Sequence, residues 1–155
     1  VDIYPTVLSA IGKPIPPDRH GVDLLPVLKD AGAPTRDHAV FGQFGQSVGI
    51  TDGRWVLHQA PADTARNEPL NWYSPYLAKF LKVPLGRYDG EKRPVEGYRA
   101  YDDVTWLSDK ATDPNELTNL AGECPEQVAR LQEALRQTWR KIGAPAEQLQ
   151  RLGIG

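Results

Sequence analysis

The chain has 155 residues, 40% of them hydrophobic and 25% charged, which suits a globular domain able to bury a core. Its formal net charge of −2 gives no electrostatic reason to expect a nucleic-acid or anionic-membrane partner. A single cysteine, Cys124, excludes an intrachain disulfide and a cysteine metal cluster, and no apolar run approaches the ~20 residues of a spanning helix. There is no methionine, and the chain opens Val1-Asp2-Ile3-Tyr4 without a targeting segment, so it reads as a piece of a longer protein.

In chain order, Asp2 is expected to cap a short helix over about 4–11. Pro5 is tolerated in its first turn, Ile3, Val7, Leu8 and Ile11 form one apolar face, and Gly12 stops it. Residues 13–20 are a proline-stiffened linker. Residues 21–28 are an apolar segment with a helical turn begun at Asp23 and Pro26 in its first turn. A first strand is expected over 38–46, its repeated glycines suggesting a bulge or a close backbone approach.

The organising stretch is Ser47–Gln59. Val48 and Ile50 alternate with Gly49 and Thr51, Asp52-Gly53 gives a hairpin signal, and Trp55-Val56-Leu57 resumes the apolar run. Two antiparallel strands, 47–51 and 54–59, follow. One short helix is expected near Tyr76–Leu81, an exposed loop over 86–97 and a last strand over 98–107, with Val104 and Trp106 alternating. The clearest helix spans 124–142. Pro125 sits at its first position and Glu126 at its positive end, while Val128, Leu131, Leu135, Trp139 and Ile142 recur at steps of three and four. Gly143 ends it, and the last residues form a short tail. Strands in sequence followed by a helix imply an α+β domain: a small antiparallel sheet of about four strands packed against a long C-terminal helix, with a short N-terminal helix.

No self-sufficient catalytic constellation emerges. Cys124 starts a helix, where the dipole favours a thiolate, but no histidine lies near it in sequence. His20, His38 and His58 form no zinc-type pair. Asp109, Asp113, Asn115 and Glu116 lack the spacing of a calcium loop, and Thr112-Asp113-Pro114-Asn115-Glu116 reads as an Asx-type turn, with Asp113 accepting backbone N–H groups. Trp72, Tyr73 and Tyr76 can line a sugar or aryl pocket or simply pack. Gln43 and Gln46 are polar in an otherwise apolar, glycine-rich strand.

Four blocks carry a family resemblance. They are Asp2-Ile3-Tyr4-Pro5-Thr6-Val7-Leu8; Gly21-Val22-Asp23-Leu24-Leu25-Pro26-Val27-Leu28; Thr51-Asp52-Gly53-Arg54-Trp55 within its strand pair; and Asp113-Pro114-Asn115-Glu116-Leu117-Thr118-Asn119-Leu120 before the last helix. In this order they resemble the C-terminal part of the sulfatase family, within the alkaline-phosphatase-like superfamily. The resemblance implies a parent that hydrolyses sulfate esters with a formylglycine and a divalent cation, usually calcium, both held in an N-terminal catalytic domain. The formylglycine motif Cys-x-Pro-x-Arg is not present, since Cys124 begins Cys-Pro-Glu-Gln-Val, so no catalytic or metal residue carries over. The expected role is an accessory subdomain, inactive alone, that docks on the catalytic domain and helps choose a small sulfate-ester substrate. Its pocket-facing candidates are Gln43, Gln46, His58, Trp72 and Tyr73. Docking also predicts an exposed apolar patch around the N-terminal helix and Leu24–Leu28. A non-enzymatic interaction module, or a parent acting on phosphate or phosphonate esters, is the alternative.

Overall fold

A computed structural model describes residues 1–42, 47–62 and 104–155. They form two compact units, residues 1–39 and 40–155. The expected helix near 76–81, the loop over 86–97 and most of the expected last strand lie outside the described residues.

The first unit holds helices α1 (Ile3–Ala10) and α2 (Leu25–Lys29). Gly12 ends α1 as expected: its φ of +69° is left-handed, and the Lys13 N–H reaches the Leu8 carbonyl at 2.8 Å. The expected cap at Asp2 does not form. A partner from outside the helix takes the carboxylate instead. Asp2 Oδ1 accepts the Val22 N–H at 2.9 Å and pairs with the Arg36 guanidinium. Thr6 Oγ1 extends the same ladder, donating to the Asp2 carbonyl at 2.6 Å and accepting the Leu24 N–H at 2.9 Å. Asp23 opens α2 by accepting the Leu25 N–H at 2.8 Å.

The second unit is the expected α+β layer pair. Strands β1 (Ala39–Gly42), β2 (Val48–Thr51), β3 (Trp55–Gln59) and β4 (Trp106–Asp109) lie in that order in one sheet. The β2–β3 and β3–β4 pairs are antiparallel, with Leu57 opposite both Ile50 and Leu107. Side chains alternate across a strand, so Val48, Ile50, Leu57 and Leu107 share one face. Helix α3 (Pro125–Lys141) covers that face with Leu131, Leu135 and Trp139.

Three expectations shift on contact with the structure. The hairpin turn centres on Gly53-Arg54 rather than Asp52-Gly53: the Asp52 N–H meets the Trp55 carbonyl, and Gly53 takes φ +95°. Asp52 instead closes the turn with its side chain, accepting the N–H groups of Arg54 and Trp55 at 2.9 and 2.7 Å. In β4 it is Leu107 that enters the core. Trp106 points to the other face, and Val104 is exposed. On α3 the apolar stripe is one residue shorter than its periodicity suggests, because Ile142 is the C-cap and stays 38% exposed.

The tail is more than a tail. It forms α4 (Ala146–Arg151) and then inserts Leu152 and Ile154 into the core. Two side chains hold it there: Gln59 Nε2 donates to the Leu152 carbonyl at 3.0 Å, and Arg136 Nε to the Ile154 carbonyl at 2.6 Å.

Two carboxylates tie the hairpin to its surroundings. Burial alone would push the Asp52 carboxyl up, but the N–H groups of Trp55 and Arg54 and the Arg130 guanidinium, 2.6 Å away, hold it below its usual range. The Arg54 guanidinium pulls Asp109 down, against burial, through bonds of 2.7 to 3.3 Å. A depressed folded pKa contributes stability that is complete above the unfolded value, about 3.9, and is lost as pH falls through the folded one. The thermal midpoint is therefore expected to drop between about pH 5 and pH 3. Asp52→Asn should flatten that slope, and a slope unchanged by the substitution would show that Asp52 is not among its sources.

Candidate functional site

The sheet face away from α3 carries the polar grouping of interest. On β2 and β3, Gly49 and His58 lie opposite each other. The Phe41 ring from β1 packs edge-on against the His58 imidazole, with centroids 5.5 Å apart. Gly49 makes room for that ring. A Cβ there would meet Phe41 ring carbons at 2.3–2.8 Å; the close backbone approach expected from the glycines of 38–46 is seen at Gly42, where a Cβ would lie 3.0 Å from the Ser47 carbonyl oxygen.

The turn after β4 supplies the charges. His58 Nε2 lies 3.3 Å from Glu116 Oε2, and Lys110 Nζ lies 2.9 Å from Glu116 Oε1. Lys110 Nζ also donates to the Pro114 carbonyl at 2.7 Å. Glu116 adopts φ +55°, the only left-handed non-glycine backbone among the described residues. Such a conformation persists where its surroundings over-determine it. Here the side chain is clasped from both sides by His58 and Lys110.

The surrounding segment explains the Asp113–Leu120 block residue by residue. Asp113 Oδ2 accepts a backbone N–H as expected, but that of Thr118 at 2.7 Å, five residues on rather than the two of an Asx turn. Glu116 reaches the sheet. Asn119 latches the segment to β4: its Oδ1 accepts the N–H groups of Leu107 and Ala121 at 3.1 and 3.0 Å, and its Nδ2 donates to the Thr105 carbonyl at 3.1 Å. Sequence reasoning singled out His58 but not Glu116 or Lys110 as its companions. Their nearness depends on β3–β4 register, which the linear spacing of 58 and 116 does not reveal.

Of the pocket candidates, only His58 falls among the described residues; Gln43, Gln46, Trp72 and Tyr73 lie outside them. Ser108 is fully buried, its hydroxyl accepting the Trp106 indole N–H at 3.0 Å. Cys124 caps α3 and packs against the core. No group of three or more His, Cys, Asp or Glu among the described residues is placed to hold a metal ion. Neither a formylglycine nor a calcium site fits these residues. The cluster fixes an imidazole and presents a lysine and a carboxylate beside it.

Comparison with known proteins places this architecture. No family model matches the chain. Arylsulfatase K of Rattus norvegicus is 30% identical over 140 residues, covering 88% of this chain and 20% of that protein. Among solved structures, a 4S-sulf protein of the glycosaminoglycan-metabolism locus of Bacteroides thetaiotaomicron matches with a TM-score of 0.58 at 20% identity, over 98% of this chain and 28% of its own. A protein solved with its substrate D-glucosamine-2-N,6-O-disulfate matches with a TM-score of 0.57 at 19% identity, over 94% and 24%. The chain thus spans 20–28% of the length of these proteins. In sequence and in fold, it matches the C-terminal region of sulfatase-family proteins.

Proposed function

We propose that this chain is the C-terminal part of a longer sulfatase, and that it completes the sulfate-ester site of that parent without performing the chemistry. The coverage carries this reading: nearly all of this chain matches, yet it accounts for only 20% of the arylsulfatase and 28% of the 4S-sulf protein. The absent Cys-x-Pro-x-Arg motif supports it from the other side. The formylglycine and calcium of the reaction belong to the N-terminal catalytic domain, which is the partner of this region.

Within the site, His58 is assigned a rim position, held by Glu116 and flanked by Phe41, with Gln43, Gln46, Trp72 and Tyr73 as further lining residues. A half-buried imidazole fixed by a carboxylate offers a directed hydrogen bond to a polar substituent of the alcohol part of the ester. Sulfated sugars, the class of the disulfated glucosamine bound by one structural relative, have such substituents.

The test is made in the parent chain. His58→Ala and Glu116→Gln should change the ratio of kcat/KM between a sulfated monosaccharide and a small aryl sulfate by about tenfold, an effect of ~1.4 kcal/mol. Metal content should stay unchanged. Normal kinetics for both variants on both esters would remove the rim assignment. Hydrolysis of phosphate but not sulfate esters would move the parent elsewhere in the superfamily.

A further inference from the structure

Residues 145–154 are built as a unit of their own. Gly143, with φ +68°, closes α3, and Pro145 is the N-cap of α4. α4 ends in a Schellman turn: Gly153 takes φ +65°, its N–H reaches the Gln150 carbonyl at 3.0 Å, and the Ile154 N–H reaches the Leu149 carbonyl at 3.1 Å. Leu149, Leu152 and Ile154 all join the core cluster. A six-residue helix with no fully buried residue of its own thus delivers two buried side chains just beyond its end.

The groups that hold this unit do not depend on it. The Ala62 N–H donates to the Arg151 carbonyl at 2.8 Å, Gln59 Nε2 to that of Leu152, and Arg136 Nε to that of Ile154. Both side chains have other partners on elements that stay behind. Gln59 Nε2 also donates to the Ala60 carbonyl at 3.1 Å, and Gln59 Oε1 accepts from Gln132 Nε2 at 2.8 Å. Arg136 is bonded to Glu133 at 2.8 Å. Neither side chain is stranded without a partner when the unit leaves, so the penalty that usually pins a buried polar contact is small. The sheet has no such freedom: Ile50, Leu57 and Leu107 are fully buried, and opening β3 breaks ladders on both its sides. We propose that residues 145–154 are a detachable strap, which leaves and reseats as one unit while the sheet and α3 stay folded. Seated, it holds the end of β3 through Gln59 and Ala62, one residue beyond His58. Released, it frees that end and uncovers part of the core.

Native-state hydrogen exchange on the 155-residue chain, at rising urea below the unfolding midpoint, tests this. A helix this short has no stability of its own in water, so its internal bonds break once it leaves. The N–H groups of Ala62, Leu152, Gly153 and Ile154 should therefore share one protection, at least about 100-fold below that of the Leu57 N–H. Their exchange should also depend less on urea, because strap release exposes less surface than unfolding. Asp52→Ala supplies the second arm, since Asp52 follows β2 at the end of the sheet opposite Gln59. It weakens the seated and released forms alike. The Leu57 amide should speed up about tenfold, and the other four should stay within about twofold. Equal protection and equal urea slopes for both sets would overturn the strap, as would Asp52→Ala speeding both sets equally. Protection that falls residue by residue from Ala62 to Ile154 would overturn it too, in favour of gradual fraying.

Discussion

Leu57→Ala is expected to cost about 2–5 kcal/mol of unfolding free energy, at the upper end of that range. Leu57 is fully buried on β3, a strand with neighbours on both sides. Ile50 and Leu107 stand opposite it, and both are fully buried; Leu131 and Leu135 lie in the same cluster. Such a site cannot collapse around the lost methyl groups without moving two ladders of backbone hydrogen bonds, so the cavity term stays large. Urea unfolding followed by tryptophan fluorescence checks it. The midpoint should fall while the denaturant slope stays unchanged. A loss below about 1 kcal/mol would mean that the core gives way more easily than its packing implies.

Asn119→Ala should have the second largest effect, about 1–3 kcal/mol. Its amide serves three backbone groups, on Thr105, Leu107 and Ala121, and alanine serves none of them. Partial solvent access near the turn keeps the loss below that of a fully buried network. Asn119→Asp separates the contributions, since it keeps an acceptor for Leu107 and Ala121 but loses the donor to Thr105. About half of the alanine effect is expected. Asp113→Ala, which removes a single exposed bond to Thr118, should cost less than either. The same urea titration orders the three, and Asp113→Ala exceeding Asn119→Ala would contradict the latch described for this segment.

Much of the fold was legible in local pattern. Alternation gave β2 and β3, the three-and-four spacing gave α3, and Gly12 gave the end of α1. What escaped was set by partners distant in sequence. Asp2 sits where a cap is expected, but Val22 and Arg36 outcompete the helix for its carboxylate. Leu152 and Ile154 look like a frayed terminus until Gln59 and Arg136 draw their carbonyls into the core. Trp106 carries the larger apolar side chain of its strand, yet register places Leu107 inward and Trp106 beside His58. The candidate site shows the same division. His58 was visible as a polar residue on an apolar strand, whereas Glu116 became its partner only once β4 and the following turn were in place. The exposed apolar surface expected at the N-terminal helix and its neighbour is present, with Ile3, Val7, Ile11 and Leu28 all more than half exposed.

The most direct test of the central claim is the coding sequence immediately preceding Val1. A C-terminal piece of a sulfatase requires there a continuous reading frame of several hundred codons that contains Cys-x-Pro-x-Arg or Ser-x-Pro-x-Arg, with an aspartate pair for the metal ahead of it. A start codon directly before Val1, or an unrelated domain in that position, would contradict it and leave an interaction module built on a sulfatase-type fold.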